Sequence, residues 1–259
     1  MNHTYFVTGT DTDAGKTLAT SALLCAARQR QLTTLGLKPI ASGSEATPSG
    51  LRNRDALALQ AQSFPPVEYP TVNPWAFAPA IAPHLAALEA GAMLNVASVT
   101  QALSDTLTGT PRDLTLIEGA GGWRVPLNEE EDFSDLPRAL RLPVILVVGL
   151  KLGCLNHARL TAEAIVADGV TLAGWIGSVV APAFARDSAR FAANVSLLKR
   201  ALPAPCLGLI PHLAQADAST AQRFIFLDAL LPRRQGGNAM NSPFGIPTLI
   251  SKPKRLRLR

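Results

Sequence analysis

Gly9-Thr10-Asp11-Thr12-Asp13-Ala14-Gly15-Lys16-Thr17 stands directly after an apolar, strand-length segment and directly before a helical pattern. Glycines let a backbone turn tightly around an anion, while free amides and the helix dipole face phosphate groups. Lys16 supplies a positive charge, and the Thr17 hydroxyl can reach Mg²⁺. The spacing is Gly-x5-Gly-Lys-Thr, one residue longer than the usual phosphate loop. A nucleotide with its metal needs carboxylates to position the cation. Leu114-Thr115-Leu116-Ile117-Glu118 ends an apolar strand on an acid, and Gly119-Ala120-Gly121-Gly122 follows as a second small-residue loop able to approach an anion closely. Asp55, in Arg52-Asn53-Arg54-Asp55-Ala56-Leu57, reads by itself as a helix N-terminal residue, and Lys38 before Pro39 reads by itself as a solvated surface charge. Lys151-Leu152-Gly153-Cys154-Leu155-Asn156 follows an apolar strand and opens a helix, so its amides form a further anion site.

These residues need a frame that brings them to one edge. Strands are expected at Tyr5–Thr8, Leu114–Ile117, Pro143–Val148 and Leu172–Val180, with weaker signals at Thr33–Leu37 and Cys206–Ile210. Helical patterns cover Lys16–Gln31, Val96–Leu107, Asn156–Asp168 and Asp187–Leu202. This alternation predicts a single α/β domain with a mostly parallel central sheet and helices on both faces, and the phosphate loop after its first strand makes the expected class P-loop NTPase-like. The Pro-rich stretch Phe64–Pro83 reads as an ordered excursion over the surface. Residues 1–231 form the expected domain, and 232–259, broken by glycine and proline, read as a disordered tail.

Charge is divided along the same boundary. The chain carries 24 Lys plus Arg against 19 Asp plus Glu. Seven of the basic residues and no acid lie in 232–259, so residues 1–231 carry 17 minus 19, or −2. The body therefore offers no electrostatic footprint for nucleic acid or an anionic membrane. Cys25, Cys154 and Cys206 are far apart and set in apolar surroundings, which provides neither a disulfide framework nor a metal pair. With no basic flank or cleavage site at the N-terminus and no membrane-length apolar run, a cytoplasmic location is expected.

Five segments in order carry a family resemblance: Tyr5–Thr17, Leu37–Ser44, Gly50–Leu57, Ile117–Trp123 and Leu142–Ala158. Together they resemble the ATP-dependent dethiobiotin synthetases, over residues 4–231, and the lengthened phosphate loop is part of that family's pattern. The resemblance implies a Mg²⁺-dependent homodimeric ligase acting on 7,8-diaminopelargonic acid, CO₂ and ATP. It implies that Lys16 holds the β- and γ-phosphates, that Lys38 orients a carbamate, and that Thr17, Asp55 and Glu118 share the metal. Thr12 and Ser42 are then expected at the diamine, and Asp13, Ala14, Gly15, Leu18, Gly119, Ala120 and Gly121 around the nucleotide. Gly153, Cys154, Leu155 and Asn156 are expected to meet the substrate carboxylate across the dimer interface. Cys154 reads as a small packed residue and not as a nucleophile.

The chain departs from the family at Ser178, where Asn commonly reads the adenine edge. A hydroxyl cannot reproduce the paired donor and acceptor of an amide. Base selectivity is then relaxed, or supplied by backbone near Ile210-Pro211-His212. The rival readings are weaker. Partitioning ATPases usually carry an extra lysine early in the loop, and residues 9–15 contain none. An amide-forming ligase on a cobalamin precursor would normally add a glutamine-hydrolysing domain, for which the length leaves no room.

Overall fold

The computed structural model describes residues 2–231; the expectation for the 232–259 tail lies outside the described residues. The first half of the chain runs β1 (His3–Gly9), α1 (Lys16–Gln29), β2 (Thr34–Leu37), β3 (Ile40–Ala41), β4 (Glu45–Thr47), β5 (Gly50–Arg52), α2 (Arg54–Ala61), α3 (Tyr69–Val72), β6 (Trp75–Ala76), α4 (Pro83–Glu89) and α5 (Val96–Gly109). The second half runs β7 (Leu114–Glu118), α6 (Asp135–Ala139), β8 (Val144–Gly149), α7 (Cys154–Ala167), β9 (Leu172–Ser178), α8 (Ser188–Ala201), β10 (Cys206–Ile210) and α9 (Ala218–Ala221).

Six strands form one sheet in the order β10-β9-β8-β1-β7-β2, every pair parallel. All six residues of β8 are buried, as a strand covered on both faces requires. Side chains alternate between the two faces at the strand period of two. Phe6, Leu146, Val148 and Trp175 join one core cluster with Val99 of α5, Ile165 of α7 and Leu198 of α8. Val7, Ile145, Val147 and Ile176 join the other with Leu23 of α1, Leu59 of α2 and Ala221 of α9.

A parallel sheet delivers its strand ends to one edge, where ligands of open α/β sheets bind. The phosphate loop leaves β1 there, Lys38 follows β2, and Glu118 closes β7. Gly153 follows β8 at that same edge, Ser178 closes β9, and Pro211 follows β10.

The Pro-rich stretch is ordered and exposes Phe64 and Ile81, as a surface excursion would, but it is also anchored in the core. Tyr69, Val72 and Phe77 are buried, and β6 pairs in parallel with β3. Its apolar side chains fill the space beyond β2, where the main sheet has ended. The helix at Cys154 also begins two residues before the expected Asn156, because Gly153 takes the left-handed conformation that allows the sharp entry.

Candidate active site

Lys16 opens α1 behind Gly15, whose φ of 86° is left-handed, and no side chain caps the helix. The first amides of α1 are thus free of side-chain partners and face the loop, an arrangement suited to an anion. Gly15 also has no room for a larger residue, because a Cβ there would lie 2.4 Å from Ser178 Oγ. The Lys16 ammonium rests on the Asp11 carbonyl at 3.2 Å. Burial first, and then repulsion from Lys38, lowers its pKa to about 8.

Lys38 is no solvated charge. It is 5% exposed and donates to Glu118 Oε1 at 2.8 Å and to the Gly119 carbonyl at 3.0 Å. Asp55 Oδ2 lies 3.4 Å from the same ammonium. Burial pushes the Lys38 pKa down, but Glu118 and Asp55 outweigh it and the net direction is up. Glu118, 0% exposed, also accepts from Thr17 Oγ1 at 2.9 Å. Breaking one side of such a buried pair costs about 3–5 kcal/mol. The Arg54–Glu45 pair is just as short, 2.7 Å, but its side chains are 86% and 63% exposed, and such pairs contribute only about 0–1 kcal/mol. The buried pair is the one that fixes geometry.

A cleft of about 870 Å³ opens over these groups. Thr12, Asp13, Gly15, Lys16, Thr17 and Leu18 line one wall. Lys38, Ser42 and Asp55 line a second, and Ala120 and Gly121 a third. Ala14, within the loop, is buried against Gly149, and Gly119 lies against Lys38. Ser178 is buried beside Gly15, and Val179 next to it pairs with Ile210, which brings Pro211 and His212 to the same flank. Gly153, Cys154, Leu155 and Asn156 do not line this cleft. Cys154 is buried, and burial pushes its thiol pKa up, which fits packing and not nucleophilic chemistry.

The set around Glu118 suits a magnesium ion. Glu118 Oε2 is buried without a hydrogen-bond partner, and Thr17 Oγ1 and the half-exposed Asp55 carboxylate complete an all-oxygen group. Among the described residues no cluster of three or more His, Cys, Asp or Glu forms a metal site. Magnesium needs none, since it is commonly held by one or two carboxylates together with phosphates and waters.

Sequence reasoning missed several contributors. Lys151 donates to Asp11 Oδ2 at 3.0 Å and ties the α7 entry to the phosphate loop, holding the Asp11 carboxyl below its usual range. Arg124 lines the cleft and pairs with Asp168 at 2.7 Å. Asn53 caps α2 and donates to the Ser42 carbonyl at 3.1 Å. An asparagine two residues before Asp55, at a helix start, was a readable cap signal; the other two pairings have none.

A family profile described as an AAA domain matches residues 3–220. The ATP-dependent dethiobiotin synthetase BioD of Chromohalobacter salexigens is 61% identical over 217 residues, covering 82% of this chain and 91% of that relative. The protein of the same name from Pseudomonas aeruginosa is 56% identical, covering 87% and 97%. The chain belongs to the ATP-dependent dethiobiotin synthetase family. It is a ligase that forms C–N bonds, in biotin biosynthesis, on a P-loop NTPase fold. A solved MinC:MinD cell division complex from Aquifex aeolicus shares that fold at TM-score 0.55 and 13% identity, covering 93% of this chain and 98% of the other. Among the described residues no helix is long and apolar enough to cross a membrane.

Proposed function

We propose that this enzyme converts 7,8-diaminopelargonic acid, CO₂ and ATP to dethiobiotin, ADP and phosphate. One amine takes up CO₂ as a carbamate, and a carbamate oxygen attacks the γ-phosphorus, expelling ADP. The second amine then attacks the carbonyl of the mixed anhydride, phosphate leaves with the bridging oxygen, and the cyclic urea closes. ATP thereby turns a poor oxygen leaving group into phosphate.

The observation that carries this reading is the pair of buried ammonium groups, Lys16 and Lys38, lining one cleft with the Thr17 hydroxyl and the Asp55 carboxylate, with Glu118 buried behind Lys38. Two anions must meet in the transfer, so the site needs fixed positive charge more than a strong base. Lys16 moves from the Asp11 carbonyl to the phosphates, and Lys38, held by Glu118 and Asp55, faces the carbamate. Thr17, Asp55 and Glu118 would hold Mg²⁺, which when bound screens the phosphate charge. Thr12 and Ser42 hold the diamine end. Ser178 with the backbone at Pro211 and His212 reads the base. In a homodimer the α7 entry of one subunit, Gly153–Asn156, serves the substrate carboxylate in its partner's site.

The test is ADP release by purified enzyme with Mg²⁺, bicarbonate and the diamine, with product identified by mass. Dethiobiotin that requires every component supports the reading. ADP release that ignores the diamine and yields no new product overturns it.

A further inference from the structure

Three buried polar residues outside the charged cluster join its parts. Tyr69 is 6% exposed, Asn73 3% and Asn53 7%. The Asn73 amide nitrogen donates to the Lys38 carbonyl at 2.7 Å and faces the carbonyls of Trp75 at 3.2 Å and Pro39 at 3.4 Å. Those three acceptors fix the amide's orientation and leave Asn73 Oδ1 to accept from the Tyr69 hydroxyl at 2.8 Å. The same hydroxyl accepts from the Asn53 backbone N–H at 2.7 Å. Asn53 in turn donates from Nδ2 to the Ser42 carbonyl at 3.1 Å, and its Oδ1 accepts from the backbone N–H of Asp55 at 3.0 Å.

We propose that Tyr69, Asn73 and Asn53 are positioning residues that lock Lys38, Ser42 and Asp55 into one rigid arrangement, with the Tyr69 hydroxyl as the joint. This rests on the reaction proposed above. Lys38 follows β2, Ser42 follows β3 and Asp55 starts α2, so no single element holds all three. Beside the direct Lys38–Asp55 contact at 3.4 Å, the Tyr69 hydroxyl links the Asn73 side chain that holds the Lys38 carbonyl to the Asn53 backbone at the start of α2. Burial pushes its pKa up, so it stays protonated and keeps donating to Asn73. A misplacement of about 1 Å in such a group costs on the order of 100-fold in rate.

The test compares two buried tyrosine hydroxyls. Tyr5 donates to the Leu230 carbonyl at 3.1 Å, away from the cleft, and Tyr5→Phe controls for lost stability. Tyr69→Phe is expected to lower kcat about tenfold or more, with ADP affinity unchanged and the Mg²⁺ activation midpoint raised. Tyr5→Phe, at a similar loss in melting temperature, is expected to keep wild-type kinetics. Wild-type kinetics in Tyr69→Phe, or an equal fall in Tyr5→Phe, overturns the proposal. Asn53→Ser gives a second test, because serine still caps α2 but does not reach Ser42. It is expected to raise KM for the diamine about fivefold with KM for ATP unchanged, and unaltered diamine kinetics counts against the proposal. Dethiobiotin made by the unaltered enzyme separates these outcomes from a failure of the reaction itself, which would take both readings down.

Discussion

Lys16 and Lys38 carry the same charge at the floor of one cleft, in opposite electrostatic surroundings. Lys16, desolvated and facing a second cation, has its pKa lowered to about 8. Its charged form is present below that pH and lost above it, so kcat/KM for ATP should fall as pH rises through about 8. Lys16→Arg cannot titrate in that range and should flatten the fall; an unchanged profile in the arginine variant would assign the titration elsewhere. Lys38 is desolvated too, but Glu118 and Asp55 hold it charged. Lys38→Met removes the cation facing the carbamate and is expected to lower kcat by at least about 100-fold. It also strands Glu118, and a melting experiment should register a loss of about 3–5 kcal/mol.

At the scale of elements, the phosphate loop depends on how tightly it sits on β9. Gly15→Ala would press a methyl onto Ser178 at a left-handed φ of 86°, so the loop must shift. The expected result is a rise of about tenfold or more in KM for ATP, together with a lower melting temperature; unchanged nucleotide binding would show that the loop tolerates the shift. The strands that frame this loop were legible because Val144–Val148 is a continuous apolar run of strand length and Leu114–Ile117 is broken only by the β-branched Thr115. The phosphate loop was legible because a glycine-rich turn between strand and helix has few other uses. The anchoring of Phe64–Pro83 was not legible because proline density signals turns, whereas the burial of Tyr69, Val72 and Phe77 depends on the open end of a sheet formed by distant residues. Asp55 and Lys38 had ordinary readings on their own residues. They acquire meaning only beside Glu118, which is 80 residues from Lys38 in sequence. Likeness to a family supplied what spacing could not.

At the scale of the molecule, Leu230 and Leu231 are buried in the same core cluster as Leu23 and Ala221. Removing residues 232–259 should leave turnover unchanged in steady-state assays; a large loss of activity would make the basic segment part of the catalytic unit. The fold is shared with the MinC:MinD complex. What separates this enzyme from a nucleotide switch is where the oxygen that attacks ATP comes from. In the reaction proposed above it comes from CO₂ and departs with phosphate when the second amine closes the ring. The decisive measurement is therefore a short incubation with ¹⁸O-labelled CO₂, Mg-ATP and the diamine in unlabelled water, followed by mass analysis of the phosphate and the organic product. The expected result is one labelled oxygen in phosphate for each dethiobiotin formed; dethiobiotin accompanied by unlabelled phosphate would contradict attack by the carbamate.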